Sequence, residues 1–341
     1  MDFNGSSSGT SPRSRAFKAF CMNRRRIADA VAPVVDLALV VFVVPAALLL
    51  KFVRWVGLSR LGIIRAVLKR IGLLPVRNHY YEPFVVEKDL FRPLNRQRNL
   101  PGIDLNVQGQ LSFLSTLTFE NELKDLDSPL AGPRDFRFGN GLFESGDAEY
   151  LYQVIRRLRP TNVFEIGSGN STKMALAAIR RNASEDADLE CRRVCIEPYS
   201  ASWLENSGVE VMRERVEDID VSLFRELGRN DLLFIDSSHV IRPQGDVVTE
   251  YLEILPILRP GVVVHIHDVF TPRDYLDKWV FESMLLWDEQ YLMEAFLSNN
   301  ANWKIIGALN FLKHEHFDAL KRACPYMSRA REPGSFYIER T

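Results

Sequence analysis

Cysteine is scarce, with four residues in 341, and no two of them form a C-x-x-C pair. A zinc-knuckle spacing is therefore excluded, and Cys21, Cys191, Cys195 and Cys324 read as free thiols of a reducing compartment. Net charge is nearly absent too: 43 Lys and Arg stand against 44 Asp and Glu, for −1 overall. The balance is uneven, however. Through Asn78 the chain carries 13 basic and 3 acidic residues, which leaves the remainder at −11. The basic residues flank an apolar run, so they point to a membrane surface and away from nucleic acid. Also missing is a clean membrane-length run. Residues 37–50 are apolar but number only 14 and contain Pro45; extension back to Val31 reaches spanning length at the cost of Asp36. No A-x-A-like site precedes a polar start, so no cleaved signal peptide is expected.

The stretch 162–172 reads NVFEIGSGNST. A short apolar strand carries an acid near its end and runs into a G-x-G turn. Asn170 or Ser171 then caps the periodic segment that follows. A turn of this kind lets the backbone approach a ligand and presents the unpaired N–H groups of a helix start. No Gly-Lys-Ser/Thr follows, which excludes a phosphate P-loop. Thr172 stands where a dinucleotide fingerprint needs its third glycine.

The E-x-G-x-G pattern from Glu165 to Gly169 resembles the first motif of the class I S-adenosylmethionine-dependent methyltransferases. In that family an acid at the end of the second strand holds the ribose. Residues 193–196 read as that strand, and Glu197 ends it. The resemblance runs from about Asn140 to the C-terminus. It implies a doubly wound, mostly parallel seven-stranded α/β sheet and S-adenosyl-L-methionine as cofactor. It places Glu165, Gly167, Ser168, Gly169, Ser171, Thr172, Glu197, Pro198, Glu217 and Asp236 around that cofactor. Glu217 follows the third strand, where the family contacts the adenine; the alternative is a plain acid at a helix start.

The pattern along the chain agrees with such a sheet. Strands are expected at 163–166, 193–196, 209–212, 231–235, 262–266, 303–307 and 336–338, the last two forming an antiparallel edge. Helices are expected at 172–181, 201–206, 219–227, 244–258 and 278–298. This alternation predicts a parallel sheet covered on both faces. Ahead of it, Ser145 or Asp147 caps a helix through Leu158. Residues 1–28 read as a disordered basic tail, 29–76 as an apolar and basic membrane-associating segment, 77–139 as a helical and loop extension, and 140–341 as the catalytic domain. Within the second segment, 51–71 reads as an interfacial amphipathic helix; a buried core helix at 30–50 is the competing reading. Residues 79–83, HYYEP, read as a loop packed by its tyrosines or lining a cleft. S-adenosylmethionine is a cytosolic metabolite, so the resemblance puts the domain on the cytoplasmic side of the membrane.

In a parallel sheet, ligands bind at the carboxyl ends of the strands. The fourth strand runs into Asp236, Ser237, Ser238 and His239. The fifth runs into His265, Ile266, His267 and Asp268. These two acid and histidine groups should face one cleft, and such a composition is costly to bury as core filling. The arrangement is similar to the catechol-type O-methyltransferases, whose acids at these two strand ends bind a divalent metal; Asp236 and Asp268 match. Where metal-dependent members often have Asn or Asp after the second acid, this chain has Val269. Two chemistries stay open: a divalent cation, Mg²⁺ or Mn²⁺, on Asp236 and Asp268, or His239 or His267 as general base. His265, His314 and His316 read as structural. The acceptor is expected to be a hydroxyl on a sugar, a lipid-linked molecule or a small molecule. The alternatives are a non-catalytic, membrane-docked cofactor-binding domain and a nicotinamide-dependent enzyme on a similar sheet.

Overall fold

The computed structural model describes residues 12–126, 135–199 and 203–341. They fall into two units, divided between Phe84 and Val85.

The first unit is built on helix α1 (Pro12–Val56). Proline is accepted at a first helical position because its missing N–H would be unpaired there anyway. The helix therefore covers 12–28, where the sequence suggests a disordered tail; residues 1–11 lie outside the described part. Pro33 and Pro45 both sit inside α1. Its segment Val31–Val56 has a mean hydropathy of 2.5 in its apolar window and buries none of that window in the protein. Glycine ends the helix: Gly57 has φ +95° and donates its N–H to the Val53 carbonyl. A second helix, α2 (Gly62–Ile71), closes on Gly72 in the left-handed conformation. The segment beyond it is tied by Glu82, which accepts from both Arg54 and Arg77. Tyr80 and Tyr81 pack edge-on against each other but are 93% and 85% exposed, so the loop does not bury its tyrosines.

The second unit starts earlier than the expected domain boundary at 140. Helix α3 (Val107–Ser115) is tied to the sheet: Asn106 Nδ2 donates to the Ile305 carbonyl at 2.8 Å, and Gln110 Oε1 accepts from the Ala308 N–H at 2.7 Å. Leu114, Leu117 and Leu123, the last in the short α4 (Leu123–Leu126), join the main core. What reads as a separate extension is thus a cover for the sheet edge. Part of the loop expected before Gly141 lies outside the described residues.

Seven strands form one sheet: β1 (Asn162–Ile166), β2 (Arg192–Ile196), β3 (Glu210–Met212), β4 (Leu232–Ile235), β5 (Val263–Ile266), β6 (Trp303–Ala308) and β7 (Phe336–Arg340). Their spatial order is β3-β2-β1-β4-β5-β7-β6, with β7 antiparallel to both β5 and β6. Of the five parallel strands, β1, β2, β4 and β5 are short and rich in buried Val, Ile and Phe, as strands covered on both faces must be, while the edge strand β3 buries none of its residues.

Helix α5 (Asp147–Leu158) packs against α6 (Asn170–Glu185), with Asn182 Nδ2 donating to the Ile155 carbonyl at 3.1 Å. After β4 come α7 (Asp246–Thr249) and a widened turn, Glu250–Ile254. The helix expected over 219–227 is a 3₁₀ segment, Val221–Glu226. That expected over 201–206 is replaced by turns from Trp203 onward, its first residues lying outside the described part. The helix expected over 278–298 is broken into a wide turn, Lys278–Glu282, and α8 (Glu289–Leu297). Helices α9 (Leu309–Glu315) and α10 (Phe317–Ala323) precede the last strand.

Register explains where the site lies. Ile166 of β1 pairs with Ile196 of β2 and Ile235 of β4, and Ile235 pairs with Ile266 of β5. Four isoleucines thus end their strands in one row. The next residue in each chain is Gly167, Glu197, Asp236 or His267. Each is pinned by its N–H to a neighbouring strand at 3.0 Å: Gly167 to Ile196, Glu197 to Met212, Asp236 to Ile166, and His267 to Ile235.

Candidate active site

A cavity of about 310 Å³ opens at this row of strand ends. Gly167, Ser168, Glu197, Pro198, Glu217 and Asp236 line it, together with Tyr199, Arg215, Ser238, Arg242 and Asp246. The Glu197 carboxylate accepts from Ser168 Oγ at 2.8 Å and from the Tyr199 N–H at 2.9 Å. Gly167 has φ +89°, and a Cβ there would lie 2.2 Å from the Asp236 carbonyl oxygen. Only glycine lets these two strand ends approach so closely.

The remaining loop residues stand behind this wall. Ser171 Oγ donates to Glu165 Oε1 at 2.6 Å, and Thr172 Oγ1 accepts from the Gly169 N–H at 3.0 Å. Glu165, Ser171 and Thr172 are all buried and shape the turn from beneath. Burial pushes the Glu165 carboxyl up to about 7, against the Ser171 and Thr172 hydroxyls, which favour its charged form.

Beside the cavity stands the acid and histidine cluster. Asp236 Oδ1 is 3.3 Å from His239 Nε2 and 3.5 Å from His267 Nδ1. Asp268 approaches the same two rings, at 3.6 Å and 3.4 Å. His239 and Asp268 both adopt φ of +60°. Left-handed backbone costs a non-glycine residue energy and persists where surrounding contacts hold it. For His239 those contacts come from α8. The Asp288 and Glu289 N–H groups donate to its carbonyl at 3.0 and 3.2 Å, and Glu289 Oε2 lies 2.7 Å from its Nδ1. Glu289 is 1% exposed and also accepts from Tyr251 Oη at 3.1 Å. The break before α8 is what lets its first turn meet His239.

Charge in the cluster follows from this geometry. Burial disfavours imidazolium at His239, but Asp236 and Glu289 outweigh it and raise its pKa well above the usual range. The same contest at His267, against Asp268 and Asp236, ends at about 10. Asp236 is held far below the usual carboxylate range: burial is overcome by both histidines. At Asp268 burial wins and raises the pKa. His265 lies outside the cluster. It is stacked on Tyr337 with ring centroids 4.1 Å apart, bonded to Ser335 Oγ, and pushed by burial well below the usual range, so it is a neutral structural residue. His314, between β6 and β7 in sequence, pairs with Glu332 at 2.9 Å.

Donor atoms of Asp236, His267 and Asp268 all lie within 4.8 Å of one another. His267 Nδ1 is buried and without a hydrogen-bond partner among the described residues. Two carboxylates and one imidazole around an unsatisfied buried nitrogen suit a divalent cation. Val269, next after Asp268, offers no donor atom, and His267 is the residue that stands with the two acids.

Residues 164–269, which hold the glycine turn, Glu197 and the whole acid and histidine cluster except Glu289, match a family model described as a methyltransferase domain. The segment that builds the site is thus similar to a methyltransferase domain. Glu197 and the Gly167 turn, both within that segment, line the cavity at the strand ends. An uncharacterised protein of Archaeoglobus fulgidus is similar to this chain, with 27% identity over 176 residues, 48% of this chain and 77% of that protein. Among solved structures, the O-methyltransferase TomG from Streptomyces achromogenes, in complex with SAM, has 17% identity and a TM-score of 0.35, covering 67% of this chain and 89% of that one. An O-methyltransferase from Bacillus cereus in complex with SAH has 14% identity and a TM-score of 0.33, covering 67% and 91%.

Sequence reasoning missed Glu289, Tyr199, Arg242 and Asp246. Asp246 accepts from the Ser238 N–H at 2.9 Å and from its hydroxyl at 2.7 Å, which fixes the turn between Asp236 and His239. No local signal marks Glu289, because its partner lies fifty residues away.

Proposed function

We propose that this chain is a membrane-associated, S-adenosyl-L-methionine-dependent methyltransferase that transfers the methyl group to a hydroxyl oxygen on a sugar, lipid-linked or small-molecule acceptor. The single observation that carries the reading is the double membership of Asp236. It lines the cofactor cavity and also contacts His239 and His267. The group that activates the acceptor therefore stands directly beside the methyl donor.

His239 is assigned as general base: Glu289 holds Nδ1, and Nε2 faces Asp236 and Asp268, which keep it protonated until a bound cation would neutralise them and free it to accept a proton. In the reaction the acceptor oxygen forms a bond to the methyl carbon while the carbon–sulfur bond breaks. The hydroxyl proton passes to His239 Nε2, and S-adenosylhomocysteine leaves. Alignment and proton removal are the main demands of such an in-line displacement. Asp236, His267 and Asp268 are assigned to hold a divalent cation; when bound it would lower the pKa of a nearby acceptor hydroxyl and neutralise the two carboxylates. Glu197 is assigned to the ribose hydroxyls and Glu217 to the adenine side.

Membrane association is assigned to α1, whose Val31–Val56 segment has spanning length and an exposed apolar surface. The catalytic domain is placed on the cytoplasmic side, where the methyl donor is made. The test is incubation of the purified full chain with methyl-labelled donor and separate lipid and soluble extracts, followed by mass spectrometry. A product heavier by one labelled methyl on oxygen is expected. Label appearing only on nitrogen or sulfur would overturn O-transfer.

A further inference from the structure

Helix α2 and its flanks carry a surface that methyl transfer does not use. From Leu37 to Tyr81 the chain has no Asp or Glu but seven Lys and Arg. On α2 the apolar residues Ile63, Ile64, Val67 and Ile71 fall within one arc of the helix at 100° per residue, while Arg65 and Lys69 occupy the opposite side and Arg70 borders the arc beside Ile63. Among the described residues the apolar arc stays exposed: Ile63 is 83% and Ile71 69% exposed, with Val67 and Ile64 at 49% and 40%. Water does not favour such an arc, and a single basic side without a compensating acid rules out a self-neutralising surface.

Interface-seeking aromatics bracket the helix. Trp55, at the end of α1, is 75% exposed, and Tyr80 beyond α2 is 93% exposed. Trp and Tyr favour the boundary between headgroups and hydrocarbon.

We infer that α2 lies in the plane of a bilayer surface and recognises anionic lipid headgroups. This rests on the membrane reading of α1 and adds a lipid specificity to it. The apolar arc enters the boundary between headgroups and acyl chains, and Arg65, Lys69 and Arg70 meet the negative surface. A leaflet rich in anionic lipid then holds the segment that follows α1, only five residues after its last turn.

The test uses the full chain in nanodiscs made with and without phosphatidylglycerol, read by hydrogen–deuterium exchange. Amides of α2 are expected to exchange roughly tenfold more slowly in the anionic discs. High salt, or the triple variant R65Q/K69Q/R70Q, should erase that difference while peptides of α1 stay protected in both discs. Equal α2 exchange in the two discs would overturn the inference. So would protection that grows with protein concentration in neutral discs, since that marks a second copy as the occupant. If the chain does not enter discs at all, the anchor reading of α1 fails separately. Cosedimentation of the full chain with phosphatidylglycerol vesicles then decides: salt-sensitive binding lost in the triple variant supports the α2 surface, and no binding removes it.

Discussion

Oε2 of Glu289 lies 2.7 Å from Nδ1 of His239, which turns the other ring nitrogen toward Asp236 and Asp268. A carboxylate can only accept, so the pair sets the tautomer as well as the orientation of the ring. Removing such an outer partner typically costs about 10–100-fold in activity. Glu289→Ala should lose turnover on that scale and leave S-adenosylhomocysteine affinity unchanged, whereas Glu289→Gln should recover part of the rate. His239→Ala should lose roughly 10²–10⁴ in rate. Near-normal turnover of His239→Ala would remove His239 as the base.

Glu197 is held toward the cavity by Ser168 and the Tyr199 amide. A bidentate grip on ribose hydroxyls is a charge-assisted contact of about 1.5–3 kcal/mol, or roughly ten- to a hundredfold in affinity. Glu197→Ala should weaken S-adenosylhomocysteine by that factor in calorimetry. A folded variant with unchanged affinity would show that the ribose anchor lies elsewhere.

The cation assignment makes its own prediction. His267 holds a proton up to about pH 10, so a metal must displace it on binding. Titration of the metal-free protein with Mn²⁺ in buffers of different ionisation enthalpy should reveal proton release, and Asp268→Asn should abolish binding. Chelator should stop turnover, and Mg²⁺ or Mn²⁺ should restore it. Turnover indifferent to chelator would leave His239 acting without a metal.

Two glycines of one turn should respond differently. Alanine at Gly167 meets a φ of +89° and the Asp236 carbonyl at 2.2 Å, whereas Gly169 has nothing within 4 Å. Gly167→Ala should lower stability by roughly 1–3 kcal/mol and abolish cofactor binding. Gly169→Ala should do neither to the same degree in parallel thermal melts and calorimetry.

Glu165 links stability to pH. Its folded pKa of about 7 lies above the ordinary 4.5, because burial penalises its charge. The native state therefore keeps a proton that the unfolded chain releases, and stability falls as pH rises from 4.5 toward 7. Below that window Glu165→Gln should melt like the parent; above it the variant should be the more stable. Parallel melting curves across the whole range would contradict the burial argument.

Much of the site was legible because strand ends are local features. Alternation of short apolar runs with helical segments places Glu197, Asp236, His267 and Asp268 just beyond β2, β4 and β5, and a parallel sheet brings such positions to one edge. The isoleucine row made that alignment exact in register, since each strand ends on the same pleat. The glycine turn was equally readable, as its backbone demands leave a residue signature.

Other features depended on partners remote in sequence. Residues 85–139 join the catalytic unit because Asn106 and Gln110 bond the backbone of β6, some two hundred residues later. The helix expected over 278–298 breaks so that the first turn of α8 can cap the His239 carbonyl and supply Glu289. His267 becomes the third donor beside two carboxylates only through the pairing of β4 with β5. The amino-acid sequence by itself determined the strands, the turn and the acids at their ends, because propensity and pattern act over a few residues. Which histidine is held, by what, and facing which acid was decided by tertiary structure, because a hydrogen bond between residues fifty apart leaves no periodicity in the chain.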